Sequence, residues 1–188
     1  MKLEPSKTAV LTLDLQKGIL AMVDGYESVL PNASRIVELA RKKKYQLVHV
    51  GLGFSEGHPA VADWDTPFLR AQQNNLFVKG SPSAEFHSTI AQPGDLIIYK
   101  QRIGAFSENH LNLTLRARGI ENLVLFGIST SGIVLATVTR AFDLDFRLTI
   151  IRDACCDADA EVHRVLTEKI FPKRGAVTTT DAFISEQE

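Results

Sequence analysis

Asn122-Leu123-Val124-Leu125-Phe126-Gly127-Ile128-Ser129-Thr130-Ser131-Gly132-Ile133-Val134 decides the fold of this 188-residue chain. Leu123 to Phe126 form a continuous apolar run, the pattern of a strand covered on both faces. Val134, Val138 and Ala141 then recur at helical spacing, so the residues between make a strand-to-helix turn in an α/β sheet. Backbone N–H groups at a helix start lack intrahelical partners, and the helix dipole favours negative charge there. Such a turn offers donors to a ligand at the sheet edge.

Outward from this turn, similar runs rich in Val, Ile and Leu lie at 8–15, 46–51, 95–100, 147–153 and 176–180. Helical patterns separate them. Ile36, Leu39 and Ala40 share one face; Leu111 and Leu115 share another, with Gly119 placed to stop that helix. Val162, Val165, Leu166 and Ile170 form a stripe that begins among Asp157, Asp159 and Glu161 and ends at Pro172 beside Lys169, Lys173 and Arg174. That charge order suits the macrodipole. The alternation predicts a three-layer α/β/α Rossmann-like sandwich of about six mostly parallel strands with right-handed crossovers. The length fits one domain, 1–188. Residues 52–94 interrupt the rhythm with Gly53, Gly57, Pro59, Pro67, Gly80, Pro82, Pro93 and Gly94, leaving room for one short helix at 84–91. An excursion this long is expected to cover the strand ends, where open α/β sheets bind ligands.

Composition narrows the function. Lys and Arg number 21, Asp and Glu 22, giving a net charge of −1, which disfavours a nucleic-acid partner. The basic run Arg41-Lys42-Lys43-Lys44 closes a helical pattern, where cations suit the C-terminal dipole. No apolar run reaches the ~18 residues of a membrane span, and no signal peptide is apparent. The two cysteines, Cys155 and Cys156, are adjacent and cannot staple distant segments, so reduced thiols and a cytoplasmic location are expected. No glycine-rich turn matches a nucleotide fingerprint, and no organic cofactor is implied.

In a parallel sheet, the ends of the first, third and fourth strands lie at one edge. Leu13-Asp14-Leu15-Gln16, Tyr99-Lys100-Gln101-Arg102-Ile103-Gly104-Ala105-Phe106 and the 127–134 turn can therefore converge. In order and spacing this set, continued by Asp153-Ala154-Cys155 and the helix with Glu161 and His163, resembles the isochorismatase-like (cysteine hydrolase) superfamily over nearly the whole chain. The resemblance implies that Asp14 is the acid/base, Lys100 the cation that orients it, and position 133 the nucleophile. It also implies a cis peptide between Ile128 and Ser129 that aims the N–H groups near Gly132 and Ile133 at an oxyanion. Gln16, Arg102, Phe106 and Thr130 would bind substrate, with Arg102 a carboxylate clamp.

The sequence departs from that pattern where it matters most, because residue 133 is isoleucine. A hydrocarbon neither attacks nor ionises, so a thiol-dependent amidase is not expected. Cys155 lies in a stretch where the superfamily commonly carries such a residue without a catalytic role. Ser129, Thr130 and Ser131 lack an adjacent base and are expected to cap the helix. Nicotinamidases of the superfamily carry an Asp-x-His pair after strand two. His49-Val50-Gly51-Leu52-Gly53-Phe54 lacks that spacing, His58 and His87 are isolated, and His49 is expected in the core, so no zinc or iron site is expected.

Two functions remain. One is an isochorismatase-like hydrolase that acts on a small molecule through Asp14, Lys100 and water, with Ile133 as apolar wall. The other is a catalytically silent member that serves as a small-molecule-binding or oligomeric interaction protein. By resemblance, a homo-oligomer (dimer or tetramer) is expected in either case.

Overall fold

The computed structural model describes residues 2–64 and 66–188; Met1 and Asp65, inside the expected domain, lie outside them. Six strands, β1 (Thr8–Leu13), β2 (Gln46–Leu52), β3 (Leu96–Lys100), β4 (Asn122–Gly127), β5 (Arg147–Ile151) and β6 (Ala176–Thr178), form one sheet. Their order is β3-β2-β1-β4-β5-β6, and every adjacent pair is parallel. Burial follows position in the sheet. Every residue of central β1 and β4 is buried, whereas edge strands β3 and β6 are partly open. The continuous apolar runs are thus the strands covered on both faces.

Among the described residues, seven α-helices connect or flank the strands: α1 (Lys17–Leu20), α2 (Val29–Lys43), α3 (Pro67–Gln73), α4 (Leu111–Ala117), α5 (Leu135–Asp143), α6 (Ala160–Val165) and α7 (Thr180–Gln187). The β1–β2 crossover through α2 and the β4–β5 crossover through α5 leave the sheet in opposite directions. Right-handed crossovers therefore put these helices on opposite faces, which makes three layers. The C-terminal α7 returns to α2, where Arg35 pairs with Asp181 at 2.6 Å. On the other face the Arg116 guanidinium of α4 lies 4.2 Å from the Phe146 ring centroid. No helix of the described residues is long and apolar enough to cross a membrane.

The crossovers diverge between β1 and β4, so the ligand-binding crevice of this sheet type opens at their C-terminal ends. Two backbone features shape it. Asp14 takes φ +53°, which ends β1 at Leu13, two residues before the run at 8–15 does. Gly127 takes φ +149°, and a Cβ there would stand 2.0 Å from the Leu13 carbonyl oxygen. Only glycine lets the two strand ends approach this closely, and the Ile128 N–H donates to that carbonyl at 3.1 Å.

The excursion differs from expectation in its helix. Residues 84–91 form no α-helix. Beyond the short 3₁₀ turn Pro82–Ala84 the chain runs beside the end of β1, where Phe86 bridges Gln16 and the His87 N–H donates to the Leu15 carbonyl at 2.9 Å. Tertiary backbone pairing overrides local preference there. The excursion's helix is α3, which begins at Pro67 behind Thr66, whose hydroxyl accepts from the Leu69 N–H. The expected core role of His49 is observed. Its ring is fully buried, Nδ1 lies 2.7 Å from Thr12 Oγ1, and Nε2 lies 3.1 Å from Asp95 Oδ2.

Candidate active site

Lys100 is the last residue of edge strand β3, and Asp14 follows central β1, with β2 between them. The long lysine stem spans that strand, and Nζ donates to Asp14 Oδ2 at 2.9 Å. The two side chains are 1% and 8% exposed, so the pair is held almost out of water. The other carboxylate oxygen, Oδ1, is buried without a hydrogen-bond partner. Burial raises the Asp14 pKa above the ordinary carboxylate value, and Lys100, helped by the nearby Leu52 backbone N–H, opposes that rise without cancelling it.

A cavity of about 260 Å³ lies against this pair. Ile128, Ser129, Gly132 and Ile133 line it from the β4 turn, and the peptide between Ile128 and Ser129 is cis. Hydrocarbon forms most of the remaining wall: Ile19 and Val23 after β1, Leu52 at the end of β2, Pro67 and Phe68 of α3, and Ile103 after β3. Ile133 is 2% exposed and presents a branched alkyl group beside the ion pair. The turn is held from below. Ser129 Oγ accepts from the Gly132 N–H at 3.2 Å, and Asp157 Oδ2 accepts from the Ser131 N–H at 2.6 Å. Capping by Ser129 matches expectation, but it also engages one of the N–H groups expected to face an oxyanion.

The four residues expected to bind substrate do not line this cavity. Gln16 is fully buried and spends its amide on structure: Nε2 donates to the Leu52 and Ala84 carbonyls and Oε1 accepts from the Leu52 N–H, each at 2.8 Å. Thr130 donates to the Cys156 carbonyl at 3.0 Å and lies 2.8 Å from His163 Nδ1, tying the turn to the segment after β5. Phe106 stacks on Phe146, with ring centroids 6.0 Å apart. Arg102 donates to the Ala60 carbonyl at 3.0 Å and faces the Phe68 ring. These side chains answer to tertiary hydrogen bonds and ring contacts that spacing does not encode. Ile19, Met22, Val23, Leu52, Pro67, Phe68 and Ile103 are wall residues the sequence reading missed; adjacency to a strand end was the only signal, and only for Leu52 and Ile103.

Neither cysteine is poised to react. Burial pushes the Cys155 thiol up to about 12, and its Sγ lies 3.4 Å from the Ile151 carbonyl. Burial likewise pushes Cys156 up to about 11.

Comparisons with known proteins agree with this architecture. An Isochorismatase domain model matches residues 8–182. The chain is 34% identical to the isochorismatase family protein YwoC of Bacillus subtilis, over 99% of this chain and 97% of that one. It is 28% identical to a maleamate amidohydrolase of Pseudomonas putida, over 92% and 83% of the two chains. It is 30% identical to a probable inactive nicotinamidase of Arabidopsis thaliana, over 83% and 84%. Among solved structures, an isochorismatase family protein from Burkholderia thailandensis superposes with a TM-score of 0.80 at 25% identity, covering 96% of this chain and 94% of that one. With a family model matched from the first strand to the last helix, the chain belongs to the isochorismatase family.

Proposed function

We propose that this protein is a small-molecule hydrolase in which Asp14 and Lys100 carry proton transfer with water and no covalent thiol intermediate forms. The single observation behind this reading is the buried 2.9 Å Asp14–Lys100 pair, both members of which line a largely apolar cavity. In it, Ile133 occupies the superfamily's nucleophile position and serves as wall. A raised Asp14 pKa favours the protonated carboxyl, the form a proton donor needs. A vinyl ether suits such a site. Asp14 gives its proton to the alkene carbon, leaving an oxocarbenium ion. Water adds to that ion and returns a proton to the carboxylate, and the resulting hemiketal or hemiacetal collapses to a carbonyl compound and an alcohol. Lys100 stabilises the carboxylate between the two transfers. The amidohydrolase relative supports hydrolysis of small molecules as the broad class.

Residues 1–188 form one domain in this reading, located in the cytoplasm. Leu113 of α4 and Phe142 of α5, 71% and 48% exposed, supply apolar surface for a homo-oligomer.

The test is a screen of amides, ureides and vinyl ethers run beside Asp14→Asn. Turnover abolished by that substitution supports the reading. Turnover indifferent to it removes Asp14 from the mechanism. Tight ligand binding with no turnover in any class favours the silent alternative, to which Ile133 and the relative described as probably inactive both lend weight.

A further inference from the structure

A second cavity, of about 510 Å³, adjoins the first along α3. The two share Ile19, Met22, Leu52, Pro67 and Phe68 as lining residues, so they are neighbouring chambers of one hollow and not separate clefts. The far wall of the larger chamber is Ala71, Leu76 and Phe77. A paired surface hollow lined mostly by hydrocarbon has the character of a small-molecule site, and the larger chamber has the size of one. The reaction cavity at about 260 Å³ falls below that range by itself.

Polar groups are few, which makes their placement informative. Arg70 and Asn74 of the α3 region line the larger chamber. Arg70 is exposed and lies at the chamber's rim. A guanidinium at the rim of an apolar chamber suits a planar carboxylate, which it can grip through two parallel hydrogen bonds. Arg102 does not compete for that role. Its guanidinium is engaged with the Ala60 carbonyl and stands 5.8 Å from the Phe68 ring centroid, while Phe54 meets the same ring edge-on at 6.2 Å. Phe68 is thereby braced as the partition between the chambers.

We propose that the larger chamber is a tail subsite and that the substrate has two parts: a reacting bond at Asp14 and Lys100, and an apolar chain or ring passing Phe68 to a terminal carboxylate at Arg70. The substrate part of this inference rests on the hydrolase reading above; the binding part does not. The chamber takes the tail by hydrophobic burial and Arg70 fixes its end, so affinity grows with tail length until the chamber is full.

Calorimetry with acetate, butanoate, hexanoate, octanoate and 3-phenylpropionate tests this without needing turnover. The expected result is a rise of about three- to fourfold in affinity per methylene through the middle of the series, the amount that burying a CH₂ group supplies. Arg70→Gln is expected to weaken the acids at least tenfold while leaving 3-phenylpropanol within twofold. Ala71→Phe, which fills the chamber, is expected to weaken acids and alcohol alike; Ala71→Leu does so to a smaller degree if the larger variant misfolds. A flat series, or a rising one that neither position alters, overturns the subsite. A rising series sensitive to both, with no hydrolysis of any amide, ureide or vinyl ether, supports the subsite and overturns the hydrolase reading. Hydrolysis with a flat series does the reverse.

Discussion

Lys100 Nζ binds one oxygen of Asp14 at 2.9 Å and leaves the other buried without a partner. The ammonium therefore stabilises the carboxylate without saturating it. Asp14 itself lines the cavity, so its carboxyl group stands beside whatever fills it.

Removing Lys100 should expose the cost of that arrangement. In Lys100→Met, Asp14 keeps its burial but loses the group that opposed the rise in its pKa. The folded-state pKa then lies further above the unfolded value of about 4. Stability is full below the unfolded value and is lost as pH rises through the folded one. Urea midpoints measured from pH 5 to pH 8 should fall with rising pH, with a deficit of about 3–5 kcal/mol at the upper end. Adding Asp14→Asn should flatten the profile. A Lys100→Met protein as stable as wild type at pH 8 contradicts the pair's burial.

Catalysis should show the same carboxyl group with a defined sign. As a proton donor, Asp14 is active when protonated, so kcat/KM should decline as pH rises through its pKa. Because burial raises that pKa, the declining limb should lie above the ordinary carboxylate value. Activity that climbs with pH across the same range would assign Asp14 to water activation instead. Asp14→Asn should lower kcat by about 10² or more.

Ile133→Cys should create a reactive thiol. Its sulfur would stand in the cavity beside Lys100, whereas the buried Cys155 and the partly buried Cys156 are pushed up to about 12 and 11. Iodoacetamide labelling followed by mass spectrometry should modify position 133 well before the native cysteines. Equal labelling of all three would show that the cavity does not favour a thiolate. Trimming the buried side chain should cost about 1–2 kcal/mol.

Gly127→Ala should be among the most damaging small substitutions. The added Cβ meets the Leu13 carbonyl oxygen at 2.0 Å, and φ +149° is strained for alanine. A loss of about 3 kcal/mol or more is expected in chemical denaturation. Gly25→Ala, at φ +82° with nothing within 4 Å of its Cβ, separates the two effects and should lose about 1 kcal/mol. Similar losses at both positions would mean that the close approach of the strands contributes little.

Much of this architecture was written in hydrophobic periodicity. The central strands were legible because burial on both faces leaves continuous apolar runs, the partly open edge strands were legible from their Val, Ile and Leu content, and the convergence of Asp14 with Lys100 follows from their strand ends sharing one edge. The excursion was opaque for the opposite reason. Residues 84–91 pair with the end of β1 through Phe86 and His87, a long-range contact that outweighs local helix preference. The seven-residue α3 is too short to display a full amphipathic stripe. Gln16 illustrates the limit at the site. Its position near Asp14 was readable, but its three hydrogen bonds to Leu52 and Ala84 exist only once β2 and the excursion have arrived.

The hollow has two architects. Its ion pair and turn are rooted in strand ends buried on both faces, while Pro67 and Phe68 arrive on a surface insertion. Changes along that insertion can reshape which molecules are admitted without disturbing the charged couple beneath. Selectivity and chemistry in this protein are thus free to drift at different speeds.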